Sequence, residues 1–313
     1  LTGSFDYYYK KTNDILVQTP YIAAMGEGGE PWVNGASMNN QGVEFTVSFK
    51  SDPSSEFQWA VSANIGTYKT ELTDLPSNVI NKYAGDGVHD LILGRSPNSA
   101  YGLVADGIFK TQEEVDAHAD QPGKAVGRIR YKDLDGDGVI NETYDRTWIG
   151  CYDPDFFGGL NFDFAYKGFD LNLFFEGMFG NDVNSDWKKE SDIWLFTNPA
   201  WKNHATRMLG GWSPDNPNSD IPAISNNTAN QEQRFSSWFI EDGSYIKLRN
   251  IELGYTFPTK LIKKMHMSNL RLYAAAYNVF TLKKFWGDDK YTSFDPERPS
   301  YHYLTPFTFN FGI

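Results

Sequence analysis

FFGGLNFDFAYKGFDLNLFFEGMFG, Phe156 to Gly180, reads as two strands joined by a tight turn. On the first arm Leu160, Phe162, Phe164 and Tyr166 alternate with Asn161, Asp163 and Ala165. On the second, Phe169, Leu171, Leu173 and Phe175 alternate with Asp170, Asn172 and Phe174. Period two marks a strand, because successive side chains point to opposite faces. Lys167-Gly168 suits the turn, since glycine accepts positive φ. One face is aromatic-rich and the other carries acids and amides. A soluble sandwich would bury the apolar face in a core. A membrane barrel sets it against lipid and turns the polar face to water.

Outward from this hairpin the same alternation recurs. It appears in Phe5–Lys11, in GVEFTVSFK (Gly42–Lys50), in FQWAVSANIGTYK (Phe57–Lys69) and in YIKLRNIELGYTFP (Tyr245–Pro258). It is muddled in NLRLYAAAYNVFTLK (Asn269–Lys283) by Ala274 to Ala276, and clear again in TPFTFNFGI (Thr305–Ile313). The connections alternate long and short. Short ones centre on Pro53, Gly168 and Lys260; long ones begin near Asn13, Thr70, Asn181 and Lys284. Two of the long segments, 70–155 and 181–244, dominate. Loops beyond about 15 residues are uncommon in compact soluble domains. Short turns on one side and long loops on the other are the habit of up-and-down outer-membrane barrels. The fold class expected is therefore all-β: a transmembrane antiparallel up-and-down β-barrel. About nine strands are counted. That number is odd, whereas single-chain bacterial barrels close with an even one. Nine strands would also leave open edges, so the chain is expected to be the C-terminal part of a larger barrel.

Composition agrees. The 313 residues are 40% hydrophobic and 16% aromatic, with a net charge of -12, and mean hydropathy is -0.50. No run of about 18 apolar residues makes a transmembrane helix, but barrel strands hide their apolar residues by alternation. The acidic balance argues against nucleic acid as a partner. Cys151 is the sole cysteine, so no internal disulfide forms. LTGSFDYYYKK at the start lacks the apolar stretch of a signal peptide and reads as a strand.

Asp133-Leu134-Asp135-Gly136-Asp137-Gly138 is the sharpest chemical constellation. Acids at alternate places followed by glycine mimic a calcium loop. Asp133, Asp135, Asp137 and the Val139 carbonyl are the expected ligands. Tyr144 holds the place where an EF-hand has its closing glutamate, and Asp145, one residue later, is the candidate in its stead. The plain alternative is a solvated acidic turn held by Asx hydrogen bonds. Tyr7, Tyr8, Tyr9, Trp59, Tyr255 and Phe257 read as interfacial belt residues. Trp187, Trp194, Trp201, Trp212 and Trp238 lie in or beside an outer loop, where they stack on sugar, meet a partner or form a local core. Asp163, Asp170, Asn172, Glu176, Asn250 and Glu252 are expected to line a lumen. His89, His118, His204, His266 and His302 form no HExxH pair, and no G-x-S-x-G elbow occurs. The chain is read as no enzyme.

Several segments, in order, resemble the SusC/RagA family of TonB-dependent outer-membrane transporters. They are DYYYKKTNDIL, NGASMNNQGVEFTV at Asn34–Val47 and GRIRYKDLDGDGVINETYDRTWIG at Gly127–Gly150. The PDFFGGL entry to the hairpin and YKGFDLNLFFEGMFG follow, then EDGSYIKLRNIELGYTFP at Glu241–Pro258, LRLYAAAYNVFTL and DPE at Asp295–Glu297. The resemblance spans nearly the whole chain. It implies about nine strands of a 22-stranded barrel whose plug domain and TonB box lie upstream and are absent here. It implies import of oligosaccharide or peptide across the outer membrane of a Gram-negative, Bacteroidetes-type bacterium. A SusD-like surface lipoprotein would serve as lid, TonB as energy source and outer-membrane lipid as surroundings. The terminal Phe311-Gly312-Ile313 resembles the aromatic-rich signal read by barrel-insertion machinery, with Ile in place of the final Phe. Two other readings stay open: a passive channel or adhesin barrel, and a soluble calcium-dependent carbohydrate-binding β-protein.

Overall fold

The computed structural model describes residues 1–18, 32–77, 92–193, 204–225, 229, 231–283, 292–299 and 303–313. In chain order its strands begin with β1 (Thr2–Gln18), β2 (Trp32–Lys50) and β3 (Phe57–Asp74). The first long connection holds β4 (Ser99–Leu103), β5 (Ala105–Ile108), β6 (Ile129–Tyr131) and β7 (Arg146–Cys151). Then come β8 (Phe156–Tyr166), β9 (Phe169–Phe179), β10 (Asp182–Asn184), β11 (Ile240–Asp242), β12 (Tyr245–Thr256), β13 (Arg271–Lys283) and β14 (Thr308–Gly312).

Eight of these form one antiparallel sheet in the order β1-β2-β3-β8-β9-β12-β13-β14. Each strand lies beside the next sheet strand in sequence, which is an up-and-down meander. The count of about nine is corrected to eight among the described residues. The remaining extended pieces pair with one another, β4 with β7, β5 with β6 and β10 with β11, and add nothing to the main sheet. The argument from an odd number falls with it. β1 and β14 are the sheet's edges, and neither has a partner on its outer side among the described residues.

Lys167 (φ 48°) and Gly168 (φ 87°) both adopt positive φ in the two-residue turn between β8 and β9. This is the mirror-image turn whose twist matches antiparallel strands. A Cβ on Gly168 would stand 2.7 Å from the Thr256 carbonyl. The 51–56 turn is closed by Asp52, whose Oδ1 accepts from the Ser54 amide at 2.8 Å.

Strand register aligns the apolar residues in rows across the sheet. One row runs Val61, Phe162, Leu173, Ile251, Ala276, Phe309. The next, nearer the short turns, runs Trp59, Phe164, Leu171, Leu253, Ala274, Phe311. Among the described residues no core covers this face: Phe169, Leu253 and Phe309 are 52%, 50% and 53% exposed. Phe57, Tyr166, Phe169 and Tyr255 gather at the short-turn end, with Phe169 and Tyr255 rings 4.5 Å apart. Phe156 and Phe179 stack at 4.8 Å toward the long-loop end. Ten residue steps of β8 separate Phe156 from Tyr166. At ~3.4 Å per residue and a tilt of about 35–45°, they rise roughly 24–28 Å, which matches the apolar band of an outer-membrane barrel.

Tyr7 and Tyr9 face the apolar side near its outer rim and are exposed. Tyr8 does not. It points to the other face, where its ring lies over Gly42. Three consecutive tyrosines on a strand cannot share a side, so the belt expectation holds for two of them.

The paired strands outrun the sequence reading. A long connection is expected from near Asn13 to the strand at Gly42, yet β1 continues to Gln18 and β2 begins at Trp32. Beyond the apolar band, Val17, Ala36, Leu72, Leu75 and Ile92 bury one another in a small core joined by Trp148. A second loop core contains Leu103, Ile108, Ile129, Tyr131 and Ile140.

Candidate functional site

The polar face of the sheet is a connected wall. Asn172 donates to Asn161 (3.0 Å) and Asp163 (2.7 Å), and Asn250 donates to Asn172 (2.9 Å). Arg271, at the start of β13, bridges Asp170 and Glu252. Higher up, Arg249 pairs with Glu176 at 2.9 Å and with Glu297 from the 292–299 segment. Lys247, buried at 3% exposure, reaches Asp295 at 2.7 Å and also Glu297. All six acids and amides expected to line the lumen lie on this face. Alternation alone found them. It did not show that Lys247, Arg249 and Arg271 bind them into a lattice, because period two gives the face but not the partner.

The Asp295-Pro296-Glu297 piece belongs to this lattice. The Glu297 carboxylate also accepts from the Tyr245 hydroxyl at 2.9 Å. The late connection is thereby fastened to the wall by ion pairs rather than by apolar packing.

Above the wall, the connections form a cap. Arg128 from the first long connection and Glu232 from the second pair at 2.8 Å, each with a side chain 6% exposed. Glu232 also accepts from the Ile129 amide at 2.8 Å. Burial pushes the Glu232 carboxyl up despite Arg128, and depresses Arg128 despite Glu232. Gln121 clasps the β6 backbone, accepting from the Tyr131 amide and donating to the Ile129 carbonyl. Trp212 and Trp238 pack on the loop core and Trp187 sits edge-on to Phe294 at 4.6 Å. Trp212 and Trp238 therefore follow the local-core reading, whereas the ring that Trp187 meets is itself exposed. Trp194, Trp201, His89 and His302 lie outside the described residues. His118 packs on Phe109 at 5.0 Å, and its imidazole pKa is lowered, first by desolvation and then by Arg130 and Lys124.

The acidic loop lies on the outside of this cap. Asp133, Asp135 and Asp137 each bring a carboxylate oxygen within 4.8 Å of the others'. Asp133 accepts from the Gly136 and Gly138 amides, Asp135 from Asp137 and Asp137 from Val139. Gly136 and Gly138 have φ of 76° and 85°, a conformation glycine alone adopts freely. Desolvation pushes the Asp133 carboxyl up, but the Gly138 and Gly136 amides outweigh it and hold it below its usual value. The Asp137 amide lowers Asp135, yet desolvation and the charges of Asp137 and Asp145 raise it overall. Asp145 is placed differently from the other three. It is fully buried, and its two oxygens take the Leu134 and Asn141 amides at 2.8 and 2.7 Å. It clasps both ends of the loop. Val139 lies beside the cluster, bridged in register to Asp120.

No family model matches the chain. Among curated proteins it is similar to TonB-dependent receptor P3 of Formosa agariphila, with 31% identity over 294 residues, 91% of this chain and 28% of that protein. TonB-dependent receptor SusC of Bacteroides thetaiotaomicron is 26% identical over 298 residues, 92% of this chain and 28% of that protein. The chain thus spans less than a third of the length of these relatives. Among solved structures, the RagAB peptide transporter superposes with a TM-score of 0.71 at 22% identity, covering 96% of this chain and 32% of that one. The RagAB peptide importer in the closed-closed state gives 0.68 at 23%, covering 94% and 31%. The fold likeness, the sequence likeness and the two-faced meander point the same way: over its length the chain is homologous to TonB-dependent receptors, SusC among them, and shares its fold with the RagAB transporter.

Proposed function

We propose that the chain forms part of the wall and outer cap of an importer in the outer membrane of a Bacteroidetes-type bacterium. The carrying observation is the division of the eight-stranded sheet. One face is an uncovered apolar band roughly the height of a membrane's hydrocarbon layer, and the other is a wall of interlocked polar groups. An oligosaccharide or peptide would enter past the cap and descend along the polar wall. A SusD-like lipoprotein would close over the cap, and TonB would act on a plug held by the rest of the receptor. The names of the RagAB structures support a peptide as one cargo class, since that relative is described as a peptide importer. The test is uptake of labelled oligosaccharide and peptide mixtures by cells with and without the full-length receptor. Each strain is measured with the proton gradient intact and dissipated. Uptake that needs both receptor and gradient is expected. Receptor-dependent uptake that survives dissipation would instead identify a passive channel.

Calcium in the acidic loop is a smaller part of the same proposal. Asp133, Asp135 and Asp137 fit a hard, oxygen-seeking cation, the Val139 carbonyl would add a ligand, and Asp145 fixes the loop behind them. Bound there, the ion would staple the outer loop.

A further inference from the structure

A cleft of about 570 Å³ opens at the long-loop end of the polar wall, where β9 and β12 meet the β10 corner and the 292–299 segment. Met178 and Tyr245 pair in register two steps above Glu176 and Lys247, so the cleft stands on the same side as the lattice below it. Its lining includes Tyr152, Asn181, Asp182, Asp186, Tyr245 and Glu297.

The charges in the cleft do not balance. Glu297 is satisfied by Lys247 and Arg249. Among the described residues the Asp182 side chain accepts only the Cys151 amide at 2.8 Å, and that of Asp186 only the Asn184 amide group at 3.3 Å. Neither forms a salt bridge among the described residues. Burial, with the charges of Asp242 and Asp155, pushes the Asp182 carboxyl up, and desolvation together with Asp182 and Asp186 raises the Tyr152 hydroxyl. A further observation is independent of charge. Asn181 is 6% exposed, and its side-chain oxygen is buried with no donor. A buried acceptor left unmatched is costly. The cleft therefore offers acceptors in surplus, and among the described residues no cation meets Asp182 or Asp186.

A single metal ion does not meet this demand. Among the described residues, the acidic loop is where three or more carboxylates converge within 4.8 Å, and the cleft's acids are not such a group. They are spread for something larger. A neutral sugar brings acceptors along with donors and leaves the negative charge standing. An ammonium or guanidinium brings donors only, neutralises the acids and can lie against the Tyr152 ring.

We propose that this cleft binds an organic cation carried by the cargo: the side chain of a basic peptide or the amine of an amino sugar. The proposal rests on the import reading, and it is tested by binding rather than transport. Full-length receptor in detergent is titrated with tetralysine, with glucosamine tetramer, and with the N-acetylated form of each. At least one free amine is expected to bind, with affinity falling tenfold or more on acetylation and again in the Asp182→Asn/Asp186→Asn receptor. Which of the two binds identifies the source of the cation. Asp186→Asn alone, which leaves the Cys151 amide its partner, is expected to weaken binding threefold or more if the double variant loses its fold. Equal binding of free and acetylated probes, no binding of either amine, or unchanged binding in the variants would overturn the proposal. So would displacement of the amine by micromolar calcium chloride. A receptor that binds the amine but imports nothing would instead defeat the import reading and leave the cleft intact.

Discussion

Lysine scanning along β9 provides a graded test of which face meets lipid. Phe169 marks the inner girdle, and Leu173 is four residues farther along the strand. At ~3.4 Å per residue and a tilt of about 40°, Leu173 stands roughly 10 Å above the girdle, close to the middle of an apolar band about 25 Å tall. Leu171 stands only about 5 Å above it by the same rise and tilt. Leu173→Lys is therefore expected to cost about 2–4 kcal/mol, the penalty for a cation at mid-bilayer on a lipid face. Leu171→Lys should cost about half that, because its ammonium can climb to the girdle and water. Asn172→Lys lies between them in sequence but on the opposite face, beside Asp163 and paired with Glu252. It forfeits three side-chain hydrogen bonds, which an ammonium beside Asp163 and Glu252 largely replaces, a net change below about 1 kcal/mol. Guanidinium titrations of the full-length receptor in lipid micelles, followed by tryptophan fluorescence, rank the three. If positions 172 and 173 differ by less than about 0.5 kcal/mol, the apolar face does not meet acyl chains.

Removing Glu232 strands Arg128 in a dry setting, so Glu232→Ala should destabilise the cap by about 3–5 kcal/mol; limited proteolysis of 99–155 should speed up while the sheet stays protected. His118, with its lowered pKa, stabilises the cap above its unfolded value near 6.5. That contribution is lost as pH falls through the lower folded value. Glu232, with a raised pKa, acts in the opposite sense, so the difference between native and His118→Gln receptors isolates the histidine; hydrogen exchange across the cap from pH 7.5 to 5.5 should show a steeper loss in the native form. Gly168→Val meets both a positive φ and the Thr256 carbonyl, costing about 1–3 kcal/mol; the measurement is the guanidinium midpoint. Calcium should displace terbium from the acidic loop, quenching its luminescence, and slow cleavage near 133–145; Asp135→Asn/Asp137→Asn should abolish both effects.

The β8–β9 hairpin and the alternation of long and short connections were legible because both rest on local rules: period two, and glycine at positive φ. β13 was hard to read for a physical reason. Its ladder with β12 slips between Leu248 and Asn250, and Asn278 turns to φ 54° at the matching place. The side-chain phase changes there, so no single alternation fits the strand. The extension of β1 and β2 was hidden for another reason. Above the lipid both faces meet water or loops, and residues such as Asn39 and Asn40 pair in the ladder without any apolar signature. In the candidate site, the three converging aspartates stood out by spacing. The burial of Asp145 and the Arg128–Glu232 pair did not, since residues more than a hundred positions apart meet only when two connections fold over each other.

The two borders of the sheet have a further consequence. Hydrocarbon offers no water to satisfy a strand's outward amides and carbonyls, and each orphan there costs several kcal/mol. Along the part of β1 that crosses the apolar band such groups recur at every other residue, a cost beyond what the folding of one strand supplies. Embedded in lipid, this segment holds its shape only as an arc of a finished ring. A flaw at β1 or β14 would be felt by every other stave.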